Sequence, residues 1–72
     1  MPYEVNADLP DRVRHYLPDH AQDIFRAAFN HAWQEYADRL DEREAVAFRV
    51  AWAAVNRKYQ KLGDTWVPRE EF

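Results

Sequence analysis

The chain is 72 residues long and carries 13 acidic against 10 basic side chains, which gives a formal charge of −3. This length predicts a single domain over residues 1–72, near the lower limit for unaided folding. The lack of cysteine excludes disulfides and thiolate metal sites, the negative charge disfavours non-specific nucleic-acid binding, and the longest apolar run, the six residues Val50 to Val55, is too short to span a bilayer.

The first predicted element is a short helix over Pro10 to Tyr16. Pro10 and Pro18 limit its length, because the residue before a proline is pushed away from helical geometry. Asp8 occupies the position expected for an N-cap, whose side chain accepts a hydrogen bond from a backbone N–H of the first turn. A helix this short depends on packing against the rest of the chain.

The second helix is predicted to begin at Asp19 and to carry the widest apolar face of the chain. Asp19 and Gln22 have the spacing of a capping box, in which two side chains satisfy two backbone donors. The apolar residues of this helix fall on one half of its circumference: Ala21, Ile24, Phe25, Ala28, Phe29, Ala32, Trp33, Tyr36 and Leu40. Such a wide face predicts that the second helix lies at the centre of the fold.

The third helix is predicted to begin near Asp41, because Asp41 and Glu44 repeat the capping spacing. Its large apolar residues recur at alternating intervals of four and three, which predicts one packing seam: Phe48, Trp52, Val55, Tyr59 and Leu62. Gly63 is predicted to end the helix, since glycine readily adopts the left-handed conformation found there. We predict a break at residues 39–42, because one continuous helix would leave two wide apolar faces without partners.

These elements predict an all-α fold of three helices, in which the second and third form an antiparallel pair. Strand-forming residues at both ends, Tyr3 to Val5 and Thr65 to Val67, leave room for a short two-stranded ribbon that joins the N-terminal and C-terminal segments.

The sequence offers no catalytic centre. Serine and cysteine are absent and Thr65 is the only threonine, so a nucleophile has almost no candidate. His31 and Glu35, like His20 and Asp23, supply two potential metal ligands each, but zinc requires three or four. We therefore expect no enzyme, no cofactor and no metal site.

Binding residues are predicted from individual positions rather than from a motif. Trp33 and Trp52 are predicted to be structural, whereas Trp66 either covers the helices or contributes to a contact surface. Asn30 is an unfavourable residue for a helix interior, so we predict that it fastens the N-terminal segment, with partner recognition as the alternative.

The basic residues Arg57, Lys58 and Lys61 cluster at the predicted end of the third helix. This cluster complements the helix dipole, and the alternative is that it forms a phosphate-binding patch. The residues predicted to bind a partner are His20, Asn30, Arg57, Lys58, Lys61 and Trp66.

An ordered set of short motifs covers nearly the whole chain. The set comprises Met1-Pro2-Tyr3, Leu9-Pro10, Leu17-Pro18, His20-Ala21-Gln22, Ala28-Phe29-Asn30, Ala32-Trp33, Tyr36, Val50-Ala51-Trp52-Ala53-Ala54-Val55, Tyr59 and Trp66. In this order the motifs resemble the ChaB family. The chain departs from the family pattern between Tyr36 and Val50, where its segment is shorter than the hydrophilic, loop-like segment of the family.

The resemblance implies a small helical protein that regulates a cation/proton antiporter through protein contact, without enzymatic activity. It also implies a rival role as a nucleic-acid-associated adaptor, because family members occur joined to domains that resemble the N-terminal part of transcription terminator Rho. Residues 1–6 lack the pattern of a secretory signal, so we expect a cytoplasmic location without membrane insertion. The oligomeric state stays open.

Overall fold

The computed structural model describes residues 3–39 and 41–69. A 3-10 turn at Asn6–Asp8 comes first and is followed by three helices and two strands. These are α1 (Asp11–Arg14), α2 (Asp19–Glu35), α3 (Arg43–Lys58), β1 (Tyr59–Leu62) and β2 (Thr65–Pro68). The predicted antiparallel pair is confirmed, because the start of α2 lies beside the end of α3 and the two helices share the largest interface. The predicted break is also confirmed, although Leu40 lies outside the described residues.

The ribbon is a hairpin that follows α3, so the predicted pairing of the two termini is wrong. Strands β1 and β2 run antiparallel with Tyr59 opposite Pro68 and Leu62 opposite Thr65. The predicted end of the third helix is wrong for the same reason, since α3 stops at Lys58 and Tyr59 is extended with φ −129° and ψ 157°. The fold is therefore mostly helical, with a small antiparallel ribbon added to the three helices.

Gly63 does adopt a left-handed conformation, but in the loop of the hairpin rather than at a helix end. Its φ is +63°, and among the described residues it is the only one with positive φ. Together with Asp64 it forms a two-residue connection between β1 and β2. Positive φ at the first loop position alone is the pattern of a type II′ turn, whose twist matches that of the two strands.

We predict that Gly63→Ala destabilises the hairpin by about 1 kcal/mol through backbone strain. An added Cβ would meet no heavy atom within 4 Å, so steric crowding does not contribute. The measurement is thermal unfolding, with D-alanine introduced at position 63 by chemical synthesis as the matched control. D-alanine has the same atoms but accepts positive φ, so equal losses for the two variants would contradict the argument.

The predicted capping interactions are wrong at all three helix starts. No cap side chain bonds to the backbone there, and α2 and α3 begin after Pro18 and Glu42 respectively. Helix α1 is also shorter than its predicted range. Gln22 instead donates its amide to the carbonyl oxygen of Leu17 at 2.8 Å. Pro18 is the N-cap residue of α2, with ψ 165°, and its side chain has no acceptor. Its carbonyl oxygen accepts from the Gln22 backbone N–H at 2.9 Å, and the Gln22 side chain is left to fasten the α1–α2 connection.

The interface between α2 and α3 is built from small residues flanked by rings. The fully buried residues of α3 are Ala47, Ala51 and Val55, whereas Phe48 and Trp52 of the predicted seam are half-buried. The last seam residue, Leu62, is 58% exposed because it belongs to β1. Small side chains at the contact allow the two helix axes to approach closely.

The half-buried rings close the sides of this interface, which confirms the structural roles predicted for Trp33 and Trp52. Trp52 meets Phe25 edge-on, with ring centroids 5.2 Å apart. Trp33 stacks on Phe29 at 5.8 Å. Arg43 lies over Trp33, 4.1 Å from the ring centroid, and its Nε donates to the Trp33 carbonyl oxygen at 2.7 Å. Arg43 thus joins the start of α3 to the end of α2.

Asn30 fastens the N-terminal segment to α2, as predicted. Its Oδ1 accepts from the backbone N–H of Tyr3 at 2.8 Å, and its Nδ2 donates to the Tyr3 carbonyl oxygen at 2.7 Å. The ring of Tyr3 then packs on Phe29, with centroids 4.8 Å apart. One side-chain amide therefore takes both backbone groups that a partner strand would need, which explains why Tyr3 does not join a ribbon.

The Tyr3 phenol is partly withdrawn from water. Burial, with a smaller contribution from the Glu44 carboxylate, raises the pKa of Tyr3 above its ordinary value near 10.0, and Arg12 opposes the shift. The folded chain therefore keeps the neutral phenol to higher pH than the unfolded chain. This contribution to stability is complete below the unfolded pKa and is lost as the pH rises through the folded pKa.

We predict that Asn30→Leu releases the N-terminal segment and lowers stability by about 1 to 3 kcal/mol, because two hydrogen bonds are removed at once. The measurement is hydrogen exchange at the Tyr3 amide, which should become much faster. Gln34→Leu is the control, since Gln34 is exposed on the same helix. Unchanged exchange at Tyr3 in Asn30→Leu would show that the segment is held by other contacts.

Candidate functional site

A pocket lies between the start of α2 and the base of the hairpin. Its volume is about 400 Å³ and it is lined by His20, Ile24, Lys58, Tyr59, Pro68 and Arg69. We call it the basic pocket, because three of these side chains carry or can carry positive charge and, within residues 3–39 and 41–69, no carboxylate lines it.

Each wall of the basic pocket comes from a different element. His20 and Ile24 lie one turn apart on α2. Lys58 is the last residue of α3. Pro68 lies directly opposite Tyr59 across the ribbon. The antiparallel return of β2 therefore places the end of this strand next to the end of α3.

Arg69 is held by hydrogen bonds to α3. Its backbone N–H donates to the Lys58 carbonyl oxygen at 2.9 Å, which extends the ribbon pairing by one residue. Its side-chain Nε donates to the Asn56 carbonyl oxygen at 2.6 Å. Both acceptors belong to the last turn of α3, where carbonyl groups lack intrahelical partners. These bonds hold the Arg69 backbone at Lys58 and its guanidinium at Asn56 before any ligand arrives.

The ring of His20 is oriented by Tyr59. Nδ1 of His20 lies 3.1 Å from the Tyr59 hydroxyl oxygen, and the ring centroids are 6.0 Å apart. Tyr59 is almost fully buried, so its hydroxyl needs an internal partner and His20 supplies one. With Nδ1 engaged, Nε2 is the ring nitrogen that is available to a ligand.

This lining favours a ligand with an anionic group next to an apolar group. Lys58 and Arg69 provide fixed positive charge, and His20 adds a ring N–H or a further charge when protonated. Ile24 and Pro68 provide apolar surface on the same pocket. Charge-assisted hydrogen bonds to a carboxylate or phosphate are stronger than neutral ones, so they would orient such a ligand.

The structure brings only two of the six predicted binding residues, His20 and Lys58, to this pocket. Trp66 packs on Trp52 with centroids 6.0 Å apart, so it covers the helices as one of its two predicted roles requires. The Lys61 ammonium lies 6.0 Å from the ring centroid of Tyr16. Asn30 and Arg57 are not among the lining residues. Whether any of these residues contacts a partner stays a prediction.

The other cavity and the other polar clusters offer fewer groups that could bind a ligand. A second cavity of about 370 Å³ is lined by Asp38, Arg39, Asp41 and Glu42, which are exposed residues of the α2–α3 connection. His31 pairs with Glu35 on the surface of α2, with Nε2 and Oε2 3.4 Å apart. Residues 3–39 and 41–69 contain no group of three potential ligands placed to hold a metal ion. Over the same residues, no helix combines the length and apolar character required to cross a bilayer.

Comparison with known proteins supports the resemblance noted above. A sequence model of the ChaB family matches residues 9–69. The chain belongs to the ChaB family. It is 51% identical over 69 residues to a ChaB protein of Escherichia coli strain K12 named "Putative cation transport regulator ChaB", and the match covers 89% of this chain and 91% of that relative. ChaB proteins of the same name from Escherichia coli O157:H7 and Shigella flexneri match with the same identity and coverage.

The fold is also that of a ChaB protein. A solved structure described as "NMR solution structure of the putative cation transport regulator ChaB" is similar with a TM-score of 0.85 and 47% identity. The match covers 96% of this chain and the whole of that structure. The predicted ChaB membership is thus confirmed by sequence and by fold.

Sequence reasoning missed four of the six residues that line the pocket in this ChaB chain. Ile24 and Tyr59 were assigned to the core on their spacing, and Tyr59 does belong to the core with 5% of its surface exposed. Neither of them was predicted as a binding residue. Pro68 and Arg69 were missed because their position depends on the hairpin. The only sequence signal was the pair Gly63-Asp64, which is typical of a tight turn.

Proposed function

We propose that this chain regulates cation transport by direct contact with a cation/proton antiporter on its cytoplasmic side, without enzymatic activity. The name shared by its ChaB relatives supports the regulatory part of the proposal. The single observation that supports a contact mechanism is the basic pocket, which presents charge and apolar surface together.

A binding role is consistent with how the pocket is built. The His20–Tyr59 and Arg69–Asn56 hydrogen bonds hold two of its walls in place in the free chain. Preorganised side chains lose less conformational entropy when a partner binds. The pocket is therefore suited to recognition of a protruding group on a larger protein.

The experiment is complementation of a deletion strain, with cation/proton exchange measured in inverted membrane vesicles. The Lys58→Gln/Arg69→Gln variant removes two charges that line the pocket and should fail to restore the exchange rate. The Arg57→Gln/Lys61→Gln variant is the matched control, because it removes two charges nearby but outside the pocket. This control should restore exchange, and co-purification with the antiporter should follow the same order.

Two results would contradict the proposal. One is an exchange rate that does not change when the gene is deleted. The other is equal complementation by both double variants, provided that thermal unfolding shows both to be folded. The rival nucleic-acid role would instead give RNA or DNA binding that weakens steeply with salt and is lost in Arg57→Gln/Lys61→Gln.

A further inference from the structure

We propose that the basic pocket recognises a short acidic segment of a partner protein, in which a carboxylate side chain lies beside an apolar side chain. This inference depends on the proposed function only for the identity of the partner. It specifies the chemistry of the bound segment and predicts which pocket residues contact each part of it.

The size of the pocket limits what can enter it. A volume of about 400 Å³ lies near the lower end of the range for small-ligand sites. It admits a few side chains, but no folded element such as a helix, whose diameter alone is about 10 Å. The occupant must therefore insert side chains from an exposed or extended segment.

The charge of the pocket selects an acidic group. Lys58 and Arg69 border the same cavity, with the Arg69 backbone N–H bonded to the Lys58 carbonyl oxygen at 2.9 Å. This bond holds the two residues side by side through their backbones, and the Arg69 guanidinium is held by its bond to the Asn56 carbonyl oxygen. An ion that reaches both cations would interact with each of them, and Nε2 of His20 is a third donor in the tautomer whose Nδ1 accepts from the Tyr59 hydroxyl. A carboxylate fits this arrangement because it accepts several hydrogen bonds at once.

The apolar walls select the neighbour of that carboxylate. Ile24 is half-buried and Pro68 is exposed, so each presents apolar surface to the pocket. A purely ionic ligand would leave this surface in water. An aliphatic side chain next to the carboxylate would cover it and gain about 25 cal/mol for each Å² removed from water.

A protein segment fits these features better than nucleic acid does. Nucleic-acid affinity comes from several cations that follow a phosphate backbone. Here Lys61 lies over Tyr16, Arg57 is outside the pocket, and the chain as a whole carries a charge of −3. A confined pair of cations with apolar walls suits a single carboxylate and its neighbour.

A second copy of the chain is the other candidate occupant. Asp38, Asp41 and Glu42 lie in the α2–α3 connection, at the end of the helix pair opposite the pocket. Insertion of this connection into the pocket of another copy would be a head-to-tail contact, which forms open chains unless the rotation closes. Self-association is therefore an outcome to be measured.

The probes are short synthetic peptides, blocked at both ends, with a central Leu-Glu, Leu-Gln or Ser-Glu pair in the same glycine-serine background. Binding to the full chain is followed by fluorescence polarisation and by NMR shifts. We expect the Leu-Glu peptide to bind, the Leu-Gln peptide to bind about tenfold more weakly or worse, and the Ser-Glu peptide to be intermediate. The shifted resonances should be those of His20, Ile24 and Arg69.

Protein variants test the pocket residues directly. Lys58→Gln and Arg69→Gln should each weaken the Leu-Glu peptide about tenfold, whereas Arg69→Lys should retain part of the affinity and Arg57→Gln should change it less than about twofold. Thermal unfolding checks that Arg69→Gln remains folded, since that side chain also bonds to Asn56.

Equal binding of the Leu-Glu and Leu-Gln peptides would overturn the inference, and so would an effect of Arg57→Gln as large as that of Lys58→Gln. Displacement of the peptide by a single-stranded RNA at lower concentration would favour nucleic acid as the ligand. Concentration-dependent oligomers that disappear in Lys58→Gln would favour a second copy of the chain. If no peptide binds but Lys58→Gln/Arg69→Gln still fails to restore transport, this inference fails and the proposed function stands. If the Leu-Glu peptide binds but transport is unchanged on deletion, this inference stands and the proposed function fails.

Discussion

Phe25→Ala is expected to lower the free energy of unfolding by about 3 to 5 kcal/mol, the range for loss of a buried phenylalanine. Phe25 is 0% exposed and its ring contacts three others. The centroid distances are 6.3 Å to Phe29, 5.9 Å to Phe48 and 5.2 Å to Trp52. Alanine would leave a cavity at the point where these rings meet, and the helices on both sides restrict its collapse.

The measurement is urea unfolding followed by tryptophan fluorescence, and the matched control is Tyr16→Ala. Tyr16 is an aromatic residue of similar size but is 57% exposed, so its loss should cost less than about 1 kcal/mol. Domains of this size rarely have more than about 3 to 5 kcal/mol of core stability, so Phe25→Ala should be largely unfolded at room temperature. A cooperative transition near that of the wild type would contradict the central position of Phe25.

The helices were predictable because their apolar periodicity is strong. Phe25 and Phe29 fall on the predicted face of α2, and both are buried in the structure. The break after Glu35 followed from the need of two wide apolar faces to pack on each other. Both arguments use only the apolar periodicity of each helix and do not require knowing which residues meet.

The hairpin could not be predicted in the same way. The seam from Phe48 to Leu62 keeps its helical spacing through Tyr59, so periodicity gives no sign that the helix stops at Lys58. The strand conformation of Tyr59–Leu62 depends on pairing with β2 and on contact between Trp66 and Trp52. Such tertiary contacts override local propensity, and they also decide the positions of Pro68 and Arg69 in the candidate site.

Asn30 illustrates a polar residue whose structural role could be predicted without its partner being known. An asparagine inside a helix competes for backbone hydrogen bonds, which indicated a specific contact. The contact is with both backbone groups of Tyr3, an arrangement that spacing alone does not specify. The same contact removed Tyr3 from the predicted ribbon, so one correct prediction explains the failure of another.

The alanines of α3 were not part of the predicted packing seam, yet they occupy the centre of the helix interface. Ala47 and Ala51 are each 0% exposed, one turn apart on the face that meets α2. Phe48 and Trp52 follow them directly in sequence and pack at the side of the interface. The distance between the helix axes is therefore limited by the two alanines, and the rings adjust to that distance.

We expect Ala51→Leu to destabilise the fold by about 1 to 3 kcal/mol, because added volume at a close helix contact forces side chains off their rotamers or moves the backbone. Ala53→Leu is the matched control, since Ala53 is exposed on the same helix and leucine has nearly the helix propensity of alanine. The two variants differ only in the side of α3 that receives the extra atoms. Chemical denaturation gives both stabilities, and NMR shifts of Ala21 and Phe25 report whether α2 has moved. An Ala51→Leu variant as stable as Ala53→Leu would mean that the rings, and not the alanines, set the separation of the helices.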